Sequence, residues 1–257
     1  MSDTNNPRRW IYSVNSYSSN ILHYQNPWIC VWWSLAFPGF GHLTNNNFLW
    51  GMVLITFEFS VNNLGNINGA IFFSMIGEIE QAKLVLEYKW VHLYVMVYIF
   101  SAWDIYWRCV ESNKAYKLAY SEQSKIKNFQ MSPFELNLLS RKKPWVAFIW
   151  SMLLPGLGHY YLHRIPISIF AFIWVFIVLI YSNVYEGVYY SMTDDIEKSK
   201  SIMNPQWILF IPSLHLFAMY DSYRIAVSNN KIFNIEQSTF LKEQYQLGSL
   251  NSIYNTE

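Results

Sequence analysis

The sequence predicts an all-α, polytopic integral membrane protein built as a tandem repeat, and three observations support this fold class. The chain has 257 residues, of which 53% are hydrophobic and 14% are charged, whereas a typical soluble domain has about 25% charged residues. The apolar residues stand in runs, and positions 165–185 contain no charge, which matches the roughly 20 residues that cross a hydrocarbon core. The same succession of apolar segments occurs twice.

The repeat emerges when the chain is slid by 117 residues, which aligns positions 27–114 with 144–231 without a gap and with 23 identities. The identities cluster in "PW", in Pro-Gly-x-Gly-His, in "SM" with "IExxK", and around a late aspartate. The chain therefore divides into a polar N-terminal segment 1–26, a membrane repeat 27–114, a basic hydrophilic linker 115–143, a membrane repeat 144–231 and a polar tail 232–257.

Each repeat is predicted to contain three apolar helical segments and one amphipathic interfacial helix. The apolar segments are 28–41, 47–63 and 90–109 in the first repeat, and 145–158, 165–183 and 207–227 in the second. The amphipathic stretches are 69–88 and 186–205, where apolar residues recur at helical spacing. A helix of this kind lies at the membrane surface, although a packed connector has the same pattern.

A turn with a histidine ends the first apolar segment of each repeat. The turn residues are Pro38, Gly39 and Gly41 before His42, and Pro155, Gly156 and Gly158 before His159. Proline lacks the amide hydrogen that continues a helix, and glycine permits a sharp turn. The pattern predicts a compact hairpin whose histidine locks the turn; a proton relay or a ligand site is the alternative.

An aspartate–arginine pair is predicted at the end of each third apolar segment. Asp104 has Arg108 four residues on, and Asp221 has Arg224 three residues on, so each pair lies on one helix face. This arrangement is typical of a pair at the membrane boundary, with the arginine reaching toward water. Because the aspartate and the turn histidine both recur, we expect the two to be in contact within each repeat.

The amphipathic stretches carry a second set of charged pairs. Glu80 is followed by Lys83, and Glu197 by Lys200, at a spacing that predicts ion pairs along one helix. A face that binds a partner is the alternative interpretation of these four residues.

The topology is open at the level of the sequence. Arginine and lysine favour the cytoplasmic side, and both the N-terminal segment and the linker are basic. An even number of crossings should separate them, yet each repeat has three apolar segments. Either one segment dips into the membrane without crossing, or all three cross and the repeats are inverted, as in many transporters. We expect a cytoplasmic N-terminus.

The motifs carry a resemblance that extends over nearly the whole chain. "PWxxxxxSxxxPGxGH", "SMxxxIExxK", "MSPFELNLLSRKKPW" and "LPGLGHYYLHRIP" resemble a group of uncharacterised multi-pass membrane proteins of Bacillus-type bacteria. The Pro-Gly-x-Gly hairpin is similar, more loosely, to the two-helix hairpin of TM2-type domains. The resemblance implies a bacterial cytoplasmic membrane protein and implies no activity.

The functional prediction is a non-enzymatic integral membrane protein, such as a scaffold, an accessory subunit or a sensory component. We find no catalytic, metal-binding or cofactor-binding signature, and a net charge of +1 does not favour nucleic acid. The expected partners are the lipid bilayer and a protein that contacts the linker, the tail or the interfacial helices. The alternative is a small-solute or proton-coupled transporter with its site between the repeats.

Overall fold

Helices form most of the computed structural model, which describes residues 9–122, 124, 126–131 and 136–246 and is 75% helical. In the first half the helices are α1 Pro27–Ala36, α2 Phe40–Thr44, α3 Phe48–Gly65, α4 Ile67–Met75, α5 Ile79–Val85 and α6 Tyr88–Ser121. In the second half they are α7 Pro144–Leu153, α8 Leu157–Tyr161, α9 Ile165–Ser182, α10 Val184–Met192, α11 Ile196–Ile202, α12 Pro205–Ile208 and α13 Phe210–Leu241. A π-helical turn, Lys242–Gln246, follows α13.

Helix boundaries recur at the offset of the sequence repeat. The five helices α7 to α11 each begin 117 residues after α1 to α5 and have the same lengths, as with Pro144 against Pro27. The sixth helix differs, because the second half divides it into α12 and α13. Pro212 explains the division, since it has no amide hydrogen to donate to the carbonyl of Ile208.

The predicted amphipathic helices 69–88 and 186–205 are wrong, because each stretch consists of two short helices joined by a turn. Gly77, between α4 and α5, has a φ of +86°, and Asp194, between α10 and α11, has a φ of +63°. A left-handed residue ends a right-handed helix. The apolar residues therefore do not form one stripe: Ala82 is buried, whereas Met75 is exposed.

The polar parts of the chain form a small structured cap, which the all-α prediction did not include. Its strands within the described residues are β1 Tyr12–Val14, β2 Ser19–Ile21, β3 Ile126–Lys127, β4 Phe129–Met131 and β5 Leu136–Leu138. β1 pairs with β2 antiparallel and with β3 parallel. Side chains of the N-terminal segment, the linker and α13 share one apolar cluster there. Residues 1–8, 123, 125, 132–135 and 247–257 of the predicted segments lie outside the described residues.

The chain enters α1 and leaves α2 at the same end of the helix bundle, next to the cap. Gln25, just before α1, donates through Nε2 to the carbonyl of Thr44 at the end of α2 (3.0 Å). Asn46 donates to the carbonyl of Ile21 in β2 (2.7 Å). A helix of ten residues is about 15 Å long, so α1 and α2 form a short dip. α7 and α8 repeat the arrangement, with the Lys143 amide near the Tyr161 hydroxyl (3.3 Å).

The two halves run in the same direction. α3 leads away from the cap, and at its far end the amide of Glu87 bonds the carbonyl of Gly65 (3.1 Å). α6 then returns to the cap, where Asn113 donates to the carbonyl of Gln25 (2.7 Å). Since β1 and β3 lie in one sheet, the N-terminal segment and the linker share one end of the bundle. This geometry contradicts the inverted-repeat alternative.

Apolar aromatic packing joins the halves. The core cluster takes residues from α2 and α3 on one side and from α9 and α13 on the other. Phe40 stacks on Phe217 with ring centroids 4.0 Å apart, and Phe59 stacks on Trp174 at 3.9 Å. Such buried aromatic side chains dominate packing energies.

Two histidine–aspartate–arginine centres

The first centre joins the short helix α2, which follows the turn, to α6, the helix of the third apolar segment. His42 donates from Nε2 to Oδ2 of Asp104 over 3.0 Å, and Arg108 donates from Nε to the same oxygen over 2.5 Å. His42 is fully buried, whereas the Asp104 side chain is 17% exposed. Arg108 also lies over the Trp50 ring, 5.5 Å from its centroid. The predicted contact and the predicted ion pair are both confirmed.

The second centre joins the same three residue types, and its histidine and aspartate are both buried. His159 donates from Nε2 to Oδ2 of Asp221 over 3.0 Å, and Arg224 donates from Nη2 to Oδ1 over 2.7 Å. The Asp221 side chain has an exposure of 0%. The predicted Asp221–Arg224 pair is therefore confirmed; Asp221 lies inside the helix bundle, whereas Arg224 is partly exposed.

The turn glycines bring each histidine to its aspartate. Gly39 and Gly156 have φ values of +99° and +110°, which turn the chain out of α1 and α7 and into the short helices. Gly41 and Gly158 then press against the preceding helix, because a Cβ there would collide with the carbonyl of residue 30 or 147. Each histidine consequently links its turn to the helix that carries the aspartate, α6 or α13, and does not cap the turn locally.

Arg164 is an additional cation of the second centre, and sequence reasoning missed it. Its Nη1 lies 3.8 Å from Oδ2 of Asp221, its Nη2 donates to Oδ1 of Asn46 over 2.6 Å, and its guanidinium lies 4.6 Å from the Phe48 ring centroid. Burial lowers the pKa of Arg164 to about 10, although Asp221 counteracts it. Arg164 thus remains charged at neutral pH. Its position corresponds to Asn47 in the repeat, so the alignment contained no signal for it.

His23 of the N-terminal segment completes the second centre. Arg224 donates from Nη1 to its Nε2 over 2.5 Å, and Nδ1 faces the carbonyl of Ile21 at 3.4 Å. The ring is therefore neutral, with its proton on Nδ1. Burial, with the charge of Arg224 second, lowers the pKa of His23 to about 4.

This contact predicts that acid destabilises the protein through His23. The folded-state pKa lies below the ordinary 6.5, so the folded state binds fewer protons than the unfolded state. The stabilisation is complete above pH 6.5 and is lost as the pH falls toward 4. We expect a loss of at most about 3 kcal/mol, measured as thermal unfolding in detergent against pH. His23→Gln should flatten that slope; an unchanged slope would contradict the prediction.

A polar network around Glu58 lies at the other end of the bundle. Oε1 of Glu58 accepts from Asn62 Nδ2 (3.1 Å) and from the Tyr94 hydroxyl (3.0 Å), while Oε2 is buried with no partner among the described residues. Asn62 also accepts from Gln206 of α12 (2.8 Å). The repeat alignment places Val175 opposite Glu58, so the repeat does not indicate this residue. The sequence signal for it is a carboxylate within an apolar segment.

The other predicted residues lie apart from these centres. Lys83 and Glu80 form an exposed ion pair at 2.9 Å, and Lys200 and Glu197 one at 3.6 Å, which confirms the predicted spacing. Cys30 and Cys109 are free and buried, with their sulfurs 3.6 Å apart. No group of three or more His, Cys, Asp or Glu within the described ranges could hold a metal ion.

The fold and the two centres together define a mostly helical protein in which a histidine–aspartate contact links two helices within each half. Among the described helices, α9 is long and apolar enough to span a membrane, and α7 is a shorter apolar helix. Comparison with protein-family models, curated proteins and solved structures finds no match.

Proposed function

We propose that the chain is a multi-pass integral membrane protein of non-enzymatic type, with a scaffold, accessory or sensory role. The observation that carries the proposal is the apolar outer surface of the helix bundle. Large apolar side chains are exposed on α1, α3, α6, α7 and α9, among them Trp28, Trp32, Trp50, Met96, Ile99, Trp103, Trp145, Leu153, Phe176 and Ile180. Exposed apolar surface on this scale marks an interaction surface, and lipid is the solvent that accepts it.

The polar interior supports the same proposal. His42, His159, Arg164 and Asp221 are all buried, whereas the surrounding outer faces are apolar. Ionisable side chains in membrane proteins face the bundle interior and pair with one another. A soluble protein of this size would have the opposite distribution.

The proposed topology has two crossings in each repeat. α3 and α9 cross away from the cap, α6 and α13 return to it, and the dips α1–α2 and α7–α8 are too short to cross. Non-helical backbone in a membrane must be buried in protein, which suits the turn residues at His42 and His159. The basic linker then lies with the N-terminus in the cytoplasm, and the resemblance to Bacillus-type proteins supports a bacterial cytoplasmic membrane.

Cysteine labelling tests this topology. In a chain whose Cys30 and Cys109 are replaced by alanine, Glu78→Cys and Thr193→Cys should react with an impermeant maleimide added outside intact cells. Tyr17→Cys and Lys127→Cys should react only after the cells are opened. In the proposed topology, two crossings separate Tyr17 from Lys127, so both lie on the same side of the membrane. One crossing separates each of them from Glu78, which therefore lies on the other side. Labelling of Lys127→Cys from the same side as Glu78→Cys would overturn the topology, and release of the chain by carbonate would overturn membrane insertion.

The packing between the repeats favours a scaffold over a transporter. The aromatic cluster of Phe40, Phe59, Trp174 and Phe217 fills that interface, and the cavity beside it, lined by both halves, has a volume of about 30 Å³. That space is enough for roughly one or two water molecules. A solute site within this aromatic interface would need a larger polar space.

A proton-coupled transporter is the second candidate, and Glu58 is the observation that favours it. Its buried carboxyl group has one oxygen without a partner among the described residues and lies in a network that connects α3, α6 and α12. Proton flux into reconstituted vesicles that Glu58→Gln abolishes would favour transport over the scaffold.

A protein partner would meet the chain at its two ends. The exposed Glu80–Lys83 and Glu197–Lys200 pairs lie on the far-end helices α5 and α11, while the linker belongs to the cap. Surface ion pairs of this kind contribute little to stability, which leaves them available for contacts with a partner.

A further inference from the structure

A second feature of the cap end is a cavity between the N-terminal segment, α1, α6 and α13. Its volume is about 530 Å³. The polar part of the lining consists mainly of His23, Gln25, Arg224, Ser228 and Lys231, with the tyrosines 116, 220 and 223 beside them. Neither centre described above uses Lys231 or these tyrosines.

The charge of this cavity is positive. Arg224 and Lys231 line it, and no aspartate or glutamate is among its described lining residues. Nε of Arg224 is buried and has no hydrogen-bond partner within the described part of the chain. Asp221 is the carboxylate that pairs with Arg224, yet it lies between two arginines, since Arg164 is 3.8 Å away. Arg164, Arg224 and Lys231 therefore stand against the single carboxylate of Asp221, which leaves the cavity with a positive charge.

The rest of the lining is apolar. Isoleucines 21, 29, 232 and 235 and Val227 form most of it, and Ile29 and Ile235 are exposed at its rim. A cavity with a cationic end and an apolar wall complements an amphiphile with an anionic head. Arginine and lysine both bind phosphate oxygens, and tyrosines are enriched where a protein meets the membrane–water interface.

We propose that this cavity binds the phosphate headgroup of an anionic phospholipid, with Arg224 and Lys231 on the phosphate and an acyl chain along Ile29 and Ile235. The inference rests on the proposed membrane location, because the cavity lies at the cap end of the dip α1–α2. The apolar wall selects a lipid over a free phosphate ion. Basic pockets on the cytoplasmic side of membrane proteins have this chemistry.

Lipid binding to the purified full chain in detergent tests the proposal. Native mass spectrometry would follow titrations with dioleoylphosphatidylglycerol, with dioleoylphosphatidylcholine and with inorganic phosphate. We expect the phosphatidylglycerol to bind more tightly than the phosphatidylcholine, and Lys231→Gln to weaken its binding about fivefold, which corresponds to one partly exposed charge contact. Lys114→Gln is the matched control, because Lys114 is the repeat counterpart of Lys231 and does not line the cavity.

Three results would overturn the proposal: equal affinity for the two lipids, equal losses in Lys231→Gln and Lys114→Gln, or binding of inorganic phosphate that depends on Lys231 while phosphatidylglycerol binding does not. Lys231 is exposed on α13, so its substitution does not threaten folding. Carbonate extraction separates this inference from the proposed function. If carbonate releases the chain and the purified chain still prefers phosphatidylglycerol, the lipid site stands and the membrane-spanning proposal is wrong. If the chain stays in the membrane but shows no preference, the membrane-spanning proposal stands and the lipid site is wrong.

Discussion

Asp221→Asn is expected to destabilise the protein by about 3–5 kcal/mol, because it removes one partner of a buried ionic group and leaves the others charged. Asp221 accepts from His159 and Arg224 and lies 3.8 Å from Arg164. An asparagine would leave the buried Arg164 and the partly buried Arg224 without a counter-charge. Thermal unfolding in detergent, followed with a thiol-reactive dye, measures the change, since the buried Cys30 and Cys109 become reactive on unfolding.

Asp104→Asn is the matched control for this prediction. Asp104 makes the corresponding contacts with His42 and Arg108, but its side chain is partly exposed and Arg108 reaches the surface. Water can therefore solvate Arg108 after the substitution, and we expect a loss of about 1 kcal/mol. Equal losses in the two variants would mean that burial does not distinguish the centres.

A compensating substitution sharpens the test. Arg164→Met in the Asp221→Asn background removes the buried cation that has lost its counter-charge, so the double variant should recover part of the lost stability. Additive losses from the two substitutions would contradict the assignment of Arg164 to the second centre.

Gly158→Ala is expected to cost about 3 kcal/mol or more, because its Cβ would overlap the carbonyl of Ala147 and the hydroxyl of Ser151. Overpacking at a closely packed site costs about 1–3 kcal/mol, and backbone atoms cannot move aside as a side-chain end can. The added carbon would force α8 away from α7 and displace His159 from Asp221. The same dye assay measures the loss, and Gly41→Ala should behave alike, since its Cβ would meet the carbonyl of Cys30.

Gly77→Ala separates this steric effect from backbone strain. Gly77 has a φ of +86°, but no neighbouring atom lies within 4 Å of the position that a Cβ would occupy. Alanine there should therefore cost only the left-handed conformation, about 1–2 kcal/mol. A Gly158→Ala variant as stable as Gly77→Ala would show that the close approach of α7 and α8 is not needed.

The internal repeat allowed much of the helical pattern and both histidine–aspartate contacts to be predicted. Residues that recur at a fixed offset occupy the same local geometry in both repeats. The histidine and the aspartate are polar residues among apolar ones, so each had few other possible partners. The direction of the two halves was not predictable, because the basic linker favoured an even number of crossings while each repeat has three apolar segments. The pairing of β1 with β3 decided it.

Three of the contacts that sequence reasoning missed join parts of the chain that are far apart in sequence. Arg164 bonds Asn46 of the other half, Gln206 bonds Asn62, and His23 reaches Arg224. Arg164 has no identical counterpart in the repeat, Gln206 has none either, and His23 precedes the aligned region, so periodicity could not indicate these residues. The amphipathic stretches were misread for a local reason, since a single left-handed residue such as Gly77 ends a helix without altering the spacing of the apolar residues.

The sequence by itself determined the helical class, the 117-residue periodicity and the residues of each turn, because hydrophobic spacing, proline and glycine act over a few neighbouring positions. Tertiary structure alone decided that Asp221 is buried among His159, Arg164 and Arg224 while Asp104 stays near the surface. The physical reason is that burial and charge balance depend on which chain segments meet, and in this protein the second centre is completed by the N-terminal segment and by the first half of the chain.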